Sequence, residues 1–330
     1  MTHTLPDPVA RARELVVPAL KKAVEGLEPG IREVVEYHLG LDEAITGKAL
    51  RPALALLSAE AAGAPPDVGV DGAVSVELVH NFSLLHDDVM DRDQERHHRP
   101  AAWSVFGESR AILAGDALST LSIDVLMIKP GEERVRAVAL VADATASMIA
   151  GQSRDLALEG RTDATVAECL EMIEGKTAAL LSCSSAVGAV LAGADPRVVD
   201  ALAAFGKHLG IAFQAVDDLL GIWGRPEVTG KPVGNDLRQR KVSLPVAAGL
   251  DHGGEESARL RELLAEAELS DADVQEATAL LERCGARDFA AAEAERQLAA
   301  ALAELEGAAL EPGPREELAE LARFVAARDF

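Results

Sequence analysis

Aromatic side chains are scarce in this sequence: one Tyr, two Trp and seven Phe, 3% of 330 residues. Basic residues are scarce as well, with 32 Lys and Arg against 55 Asp and Glu and a formal charge of −23. Nucleic-acid binding normally leaves a basic footprint, so this balance argues against such a partner. An anionic small molecule remains compatible, provided that metal ions and a few placed Lys or Arg meet its charge locally. Cys169, Cys183 and Cys284 are an odd number with no short spacing, which suggests neither a disulfide framework nor a zinc site. The N-terminal stretch MTHTLPDPVARAREL has no signal-peptide apolar core. The longest uncharged run, Thr177–Ala194, only just reaches spanning length, is rich in Ser, Ala and Gly, and is opened by Lys176. It reads as a helix buried in a protein core. No membrane span is expected, and the cytoplasm is the expected compartment.

Ala, Leu, Glu and Arg are abundant instead, and convincing alternating β-branched runs are hard to find, so an all-α fold is expected. No domain linker and no fixed repeat stands out. Residues 1–330 therefore read as a single domain, one large helical bundle of roughly ten or more helices. The first helix spans 7–28 and is stopped by Pro29-Gly30; a second runs to about Leu39. Gly40–Thr46 is a turn, and Gly47-Lys48-Ala49-Leu50-Arg51-Pro52 opens a third helix through Ala62. After a loop at Gly63–Val68, a long helix continues until Arg99-Pro100, because Pro disfavours helix in the residue before it. Further helices are expected from Trp103 or Arg110 to Ile128 and over 132–159, 163–193 and 197–222. Residues 223–236 form the one distinctive long loop, and Ala/Glu/Leu/Arg-rich helices follow.

The chemistry concentrates in 77–103, ELVHNFSLLHDDVMDRDQERHHRPAAW. On one helix, Asp87 and Asp91 share a face one turn apart, and His80 lies two turns below Asp87. Two stacked carboxylates repel unless a cation joins them, and Mg²⁺ often takes one or two carboxylates plus substrate phosphates. A lone DDxxD is a weak signal, since acidic pairs on helices are commonly solvated surface. Here the logic repeats in Asp217-Asp218, and both pairs have apolar neighbours: Leu84, Leu85 and Val89; Val216, Leu219 and Leu220. Taken singly, Lys48 and Arg51 would be an ordinary cationic first turn, Lys231 and Lys241 solvated loop lysines, and His80 a satisfied histidine. Their order around two Asp pairs reverses that reading. His86 reads as structural, and Trp103, Trp223 and Cys183 as packing.

The ordered motifs GKALRP, His80, DDVMD, Arg96, GQSRDL at 151–156, GKT at 175–177, FQAVDD, TGKPVG at 229–234 and DLRQRKVSLP at 236–245 carry a resemblance. From about Gly40 to Pro245 the chain resembles a trans-isoprenyl diphosphate synthase of the polyprenyl synthetase family. The resemblance implies a helical bundle of the isoprenoid synthase type with a central substrate cavity, and a homodimer. It also implies prenyltransferase activity: head-to-tail (1′-4) condensation of isopentenyl diphosphate with dimethylallyl, geranyl or farnesyl diphosphate. Asp87, Asp91 and Asp217 would bind about three Mg²⁺ ions at the allylic diphosphate, with Asp88 and Asp218 as supporting acceptors. Arg96, Lys176, Thr177, Gln214, Lys231 and Lys241 would hold that diphosphate. Lys48, Arg51 and His80 would hold isopentenyl diphosphate, joined by His97.

Two departures stand out. Where the family usually has an adjacent Arg pair after DDxxD, this chain has Arg96-His97, and a neutral imidazole does not replace a forked guanidinium. Neighbouring His98 and Arg99 are the residues at hand to compensate. Gly221 stands where many members have a third Asp. Product length depends on the residues five and four before the first Asp, Phe82 and Ser83. Small Ser83 opens space and bulky Phe82 caps it, so the resemblance implies a C20 product first and C15 next. A terpene synthase or diphosphate lyase acting without isopentenyl diphosphate is the alternative that His97 motivates. The scarcity of aromatic faces to guide a carbocation counts against it. A regulatory subunit is a third reading, opposed by the intact Asp87, Asp91, Asp217 and Asp218.

Overall fold

A computed structural model describes residues 7–41, 49–97, 99–224, 233–266 and 268–326. The described chain is all-α apart from one two-residue hairpin. Helix α1 spans Asp7–Val24 and α2 Pro29–Leu39. Pro29-Gly30, expected to stop the first helix, opens the second. Proline suits a first helical position because its missing N–H is an orphan there anyway. The Glu28 carboxylate accepts the Gly30 and Ile31 N–H groups at 2.8 and 3.0 Å. Helix α3 is Leu50–Ala61, followed by a 3₁₀ turn at Pro66–Gly69 and α4 at Val70–Met90.

Here the chain departs from expectation, since α4 ends nine residues short of Arg99. Asp91 caps it, Arg92 turns left-handed at φ +58°, and strands β1 (Glu95–Arg96) and β2 (Arg99–Pro100) form a hairpin. Between Met90 and Ala101 no residue is strongly apolar, so a longer helix would have no stripe to bury. Next come α5 (Ala102–Phe106) and α6 (Glu108–Met127), separated at Gly107, then α7 (Glu132–Leu158). Helix α8 (Val166–Ile173) begins at a Thr165/Glu168 capping box and passes through a π-helical turn, Glu174–Ala178, into α9 (Ala179–Leu191). Helix α10 is Pro196–Trp223, and a short α11 covers Asn235–Arg238. The chain continues through α12 (Leu244–Asp251), α13 (Gly254–Ala265), α14 (Asp271–Arg283), α15 (Ala286–Gly307) and α16 (Pro312–Ala326).

The chain divides into two compact units. The first comprises Met1–Thr145, Cys183–Ala203 and Ala308–Leu318. In it α3 is buried from Pro52 through Ala59, and α4 packs along α6, where Ser75 donates to the Ser122 carbonyl at 2.8 Å. The second comprises Ala146–Ser182, Ala204–Gly307 and Ala319–Phe330. Its core joins Ile173 of α8, Leu219 and Ile222 of α10, Leu237 of α11 and Leu244 of α12 with Leu260, Leu281 and Ala290. The uncharged run through α9 is buried almost throughout, as expected of a core helix. Among the described residues, no helix is long and apolar enough to cross a membrane.

Phe205, in the second unit, is fully buried. Phe205→Ala removes its transfer energy and leaves a void, so urea unfolding should record a stability loss of about 3–5 kcal/mol.

Candidate active site

The acidic end of α4 separates its three carboxylates by burial. Successive residues on a helix point about 100° apart, so one Asp can face water while the next is buried. Asp87 and Asp91 are partly exposed, one turn apart, and the Asp91 N–H donates to the Asp87 carbonyl at 2.8 Å. Asp88 is buried, 1% exposed, and forms an ion pair with Arg96 of β1, whose Nε lies 2.9 Å from Oδ1. Burial pushes the Asp88 carboxyl above its usual range, and the Arg96 guanidinium pulls against that rise. Arg96 is itself mostly buried, which works against its charge, yet Asp88 holds its pKa above the ordinary value. One turn back, Ser83 folds its hydroxyl onto the His80 carbonyl at 2.8 Å. Phe82 is buried, edge-on to His86 at 4.9 Å. His86 in turn reaches the Ile112 carbonyl at 3.0 Å and fills the space over Gly115, which fits its structural reading.

The same unit gathers a basic pocket from α2, α3, α4 and the hairpin. Burial lowers the Arg51 pKa, countered by Glu77; burial raises Glu77, countered by Arg51 and by Asn81. Asn81 donates to Glu77 Oε1 at 3.2 Å. His80 is held well below its usual pKa by burial, with Arg51 and Arg96 adding repulsion. His38 of α2 is pushed down to about 3 by burial, then by Arg96 and His97. Arg51 Nε and His38 Nε2 are buried without a hydrogen-bond partner among the described residues. His97 is exposed in the hairpin turn at φ +53°. Lys48 lies outside the described residues.

The second unit holds the other predicted cluster. Gly151 of α7 lies against the backbone at Gly175 and Lys176, so closely that a Cβ on Gly151 would overlap Lys176 N. Glycine at both positions permits this crossing, and the π turn there presents two polar side chains in succession. Lys176 forms an ion pair with Asp155. Thr177 donates to Gln214 Oε1 at 2.7 Å, and Gln214 Nε2 donates to Asp218 Oδ1 at 2.8 Å. The Leu244 N–H donates to the other Asp218 oxygen at 2.7 Å. Asp218 is 6% exposed, and burial pushes its pKa up to about 8 against those two hydrogen bonds. Asp217 is exposed. A Cβ on Gly221 would overlap the Asp236 carboxylate, so an acid from α11 occupies the space beside that glycine. The backbone N–H of Lys241 donates to the Asp236 carbonyl at 3.0 Å. Gln152 is buried with both amide atoms unpartnered among the described residues, and Lys231 lies outside them.

A family model described as polyprenyl synthetase matches residues 29–281. The chain belongs to the polyprenyl synthetase family. Across 337 aligned residues it is 46% identical to the (2E,6E)-farnesyl diphosphate synthase of Mycobacterium tuberculosis, covering 99% of this chain and 94% of that one. It is also 42% identical to the geranylgeranyl diphosphate synthase of the same organism, covering 97% of this chain and 93% of that one. The crystal structure of a polyprenyl synthetase from Streptomyces coelicolor A3(2) superposes with a TM-score of 0.93 at 48% identity, covering 97% of this chain and 99% of that one.

Within this polyprenyl synthetase chain the donor set fits a hard divalent cation. Asp87 and Asp91 offer oxygens one helical turn apart, while Asp88 is tied to Arg96. Among the described residues no cluster of three or more His, Cys, Asp or Glu could hold a metal unaided. Sequence reasoning had not assigned Asp155, Gln152, His38 or Asp236. Asp155, Gln152 and Asp236 stand inside motifs already singled out, whereas His38 carried no signal in EYHLG and is recruited by packing alone.

His38 supplies a pH test. Its folded pKa is depressed, so its contribution to stability is present above the unfolded value of 6.5 and is lost as pH falls toward about 3. His38→Gln should flatten the fall in stability across that window, as read by urea unfolding at about pH 7.5, 6 and 5.

Proposed function

We propose that the chain condenses isopentenyl diphosphate head-to-tail with an allylic diphosphate to give a short-chain prenyl diphosphate. It is a prenyltransferase. The observation that carries the reading is a division of labour repeated in both acidic motifs. The second Asp of each pair, Asp88 or Asp218, is buried and bonded, and the first, Asp87 or Asp217, is left accessible.

Asp87, Asp91 and Asp217 would hold Mg²⁺ ions, about three with substrate bound, and the metal would supply positive charge to the leaving diphosphate. Asp88 and Asp218 support from behind, Asp88 by anchoring Arg96 and Asp218 by fixing Gln214. Lys176, oriented by Asp155, binds the allylic diphosphate with Thr177, Gln214, Arg96, Lys231 and Lys241. The allylic C–O bond breaks with its electron pair leaving on the diphosphate. Placed positive charge stabilises that departure more than it stabilises the intact substrate. Lys48, Arg51 and His80, with His97 beside them, position isopentenyl diphosphate so that its double bond attacks the allylic cation. The proton lost to restore the new double bond goes to the departing diphosphate. His80 stays neutral in its basic surroundings and so serves as a hydrogen-bonding group rather than a charge.

Phe82 closes the elongation pocket below Asp87, with Ser83 leaving room beside it, so the product is C20 first and C15 next. Residues 1–330 form one domain, a reading supported by a family match that runs through both units. The exposed apolar residues Val105, Ile112, Leu113 and Met127 of α5 and α6 support a homodimer. A cytoplasmic location belongs to the same proposal, since both substrates carry diphosphates that keep them in water. The lyase alternative is not favoured, because both curated relatives are named as diphosphate synthases.

The deciding assay incubates purified protein with Mg²⁺ and each allylic diphosphate, with and without labelled isopentenyl diphosphate. Label entering a prenyl diphosphate supports the proposal, and a hydrocarbon formed without the second substrate rejects it. Asp87→Ala and Asp217→Ala should each lower kcat on the order of a hundredfold or more, and chelation of the metal should abolish turnover. Phe82→Ala should lengthen the product on reversed-phase chromatography; unchanged length would remove Phe82 as the floor.

A further inference from the structure

The residue before the first Asp of DDVMD takes no part in the condensation, yet its surroundings tie it to the pocket wall. His86 follows Phe82 by four positions on α4, so the two side chains share one face of that helix. Their rings meet edge to face, with centroids 4.9 Å apart and planes at 76°. Phe82 is buried, and a close-packed side chain turns only where its neighbours leave room. Ser83, the other residue of the expected wall, is small and folds its hydroxyl back onto the His80 carbonyl at 2.8 Å. The ring of His86 is therefore the larger neighbour.

His86 is itself held by α6, the helix along which α4 packs. Its Nε2 lies 3.0 Å from the Ile112 carbonyl, and a carbonyl only accepts, so Nε2 carries the hydrogen. Asp116 Oδ1 lies 3.8 Å from the same nitrogen. Gly115, between these two residues, is the seat of the ring. A Cβ there would stand 2.3 Å from His86 Nε2 and 2.4 Å from Cδ2, so even alanine would displace the imidazole. Gly115 lies inside a 20-residue helix, where glycine is a poor choice for the backbone. Its use is space. Gly115 lies under His86, and His86 lies against Phe82, so three residues from two helices form one stack.

We propose that His86, seated on Gly115, is a positioning residue for product length, holding Phe82 across the end of the elongation pocket. This assignment rests on the reading of Phe82 as the pocket floor and adds the layer behind it. A smaller residue at position 86 leaves a space beside Phe82 that the imidazole had filled. The Phe82 ring turns into that space, and the pocket deepens. The bonds made and broken in each condensation stay the same, and only the number of condensations before release increases.

The test is the product distribution of the full-length enzyme with Mg²⁺, dimethylallyl diphosphate and excess labelled isopentenyl diphosphate, resolved by reversed-phase chromatography. Wild type is compared with Phe82→Ala, His86→Ala, His86→Gln and the pair His86→Ala with Gly115→Leu, and thermal melting is recorded for each. His86→Ala should lengthen the main product by about one five-carbon unit, the direction expected of Phe82→Ala, because both remove a ring from the wall. His86→Gln keeps a donor for the Ile112 carbonyl without the ring and should also lengthen the product, which tests the proposal if His86→Ala folds poorly. Gly115→Leu refills the vacated space from the other helix and should return the distribution toward wild type. A role in stability alone would lower the melting temperature and leave chain length where it was. His86 variants that make wild-type products while Phe82→Ala lengthens them would overturn this assignment alone. Wild-type products from Phe82→Ala would remove the floor, and this assignment with it.

Discussion

A carboxylate almost wholly out of water must be paired, and the pairing of Asp88 with Arg96 organises the acidic end of α4. The ion pair joins the last turn of a helix to the first strand of a hairpin, across the segment where the helix has no apolar stripe to continue. Such a pair contributes little net stability, because desolvation offsets most of the attraction. Its consequence is positional. Asp87 and Asp91 keep the exposed side of α4, Arg96 is fixed, and the hairpin register then sets where Arg99 stands.

The second unit solves the same problem with neutral partners. Asp218 is buried as Asp88 is, but it accepts from Gln214 and from the Leu244 N–H. Gln214 also receives Thr177 from the π turn, so one chain of hydrogen bonds ties together α10, the start of α12 and the GKT segment. The glycine crossing at 151 and 175 makes room for that turn, and Asp155 one helical turn along α7 meets Lys176. In both motifs the second Asp is buried and the first is more exposed.

Much of this was legible in the chain itself. The periodicity of 132–159 and 197–222 marks two helices that fold within two residues of those bounds, since long apolar stripes leave little choice. The paired DD motifs and the ordered cations around them identified the chemistry. The misread elements have physical causes. Pro29-Gly30 is a start as readily as a stop, depending on whether Glu28 caps it. The stretch after Met90 is polar enough to be helix, turn or hairpin, and only a buried partner for Arg96 chooses among them.

What the sequence determined by itself is the all-α class, the two acidic motifs and the family to which they belong. These depend on local spacing and on residue type. What tertiary structure decided is which member of each motif is buried and which is exposed. The resemblance set Asp88 and Asp218 apart from Asp87 and Asp217 as supporting acceptors, and the fold supplies the partners that engage them. Burial and register are relations between segments far apart in the chain, and no single stretch of residues encodes them.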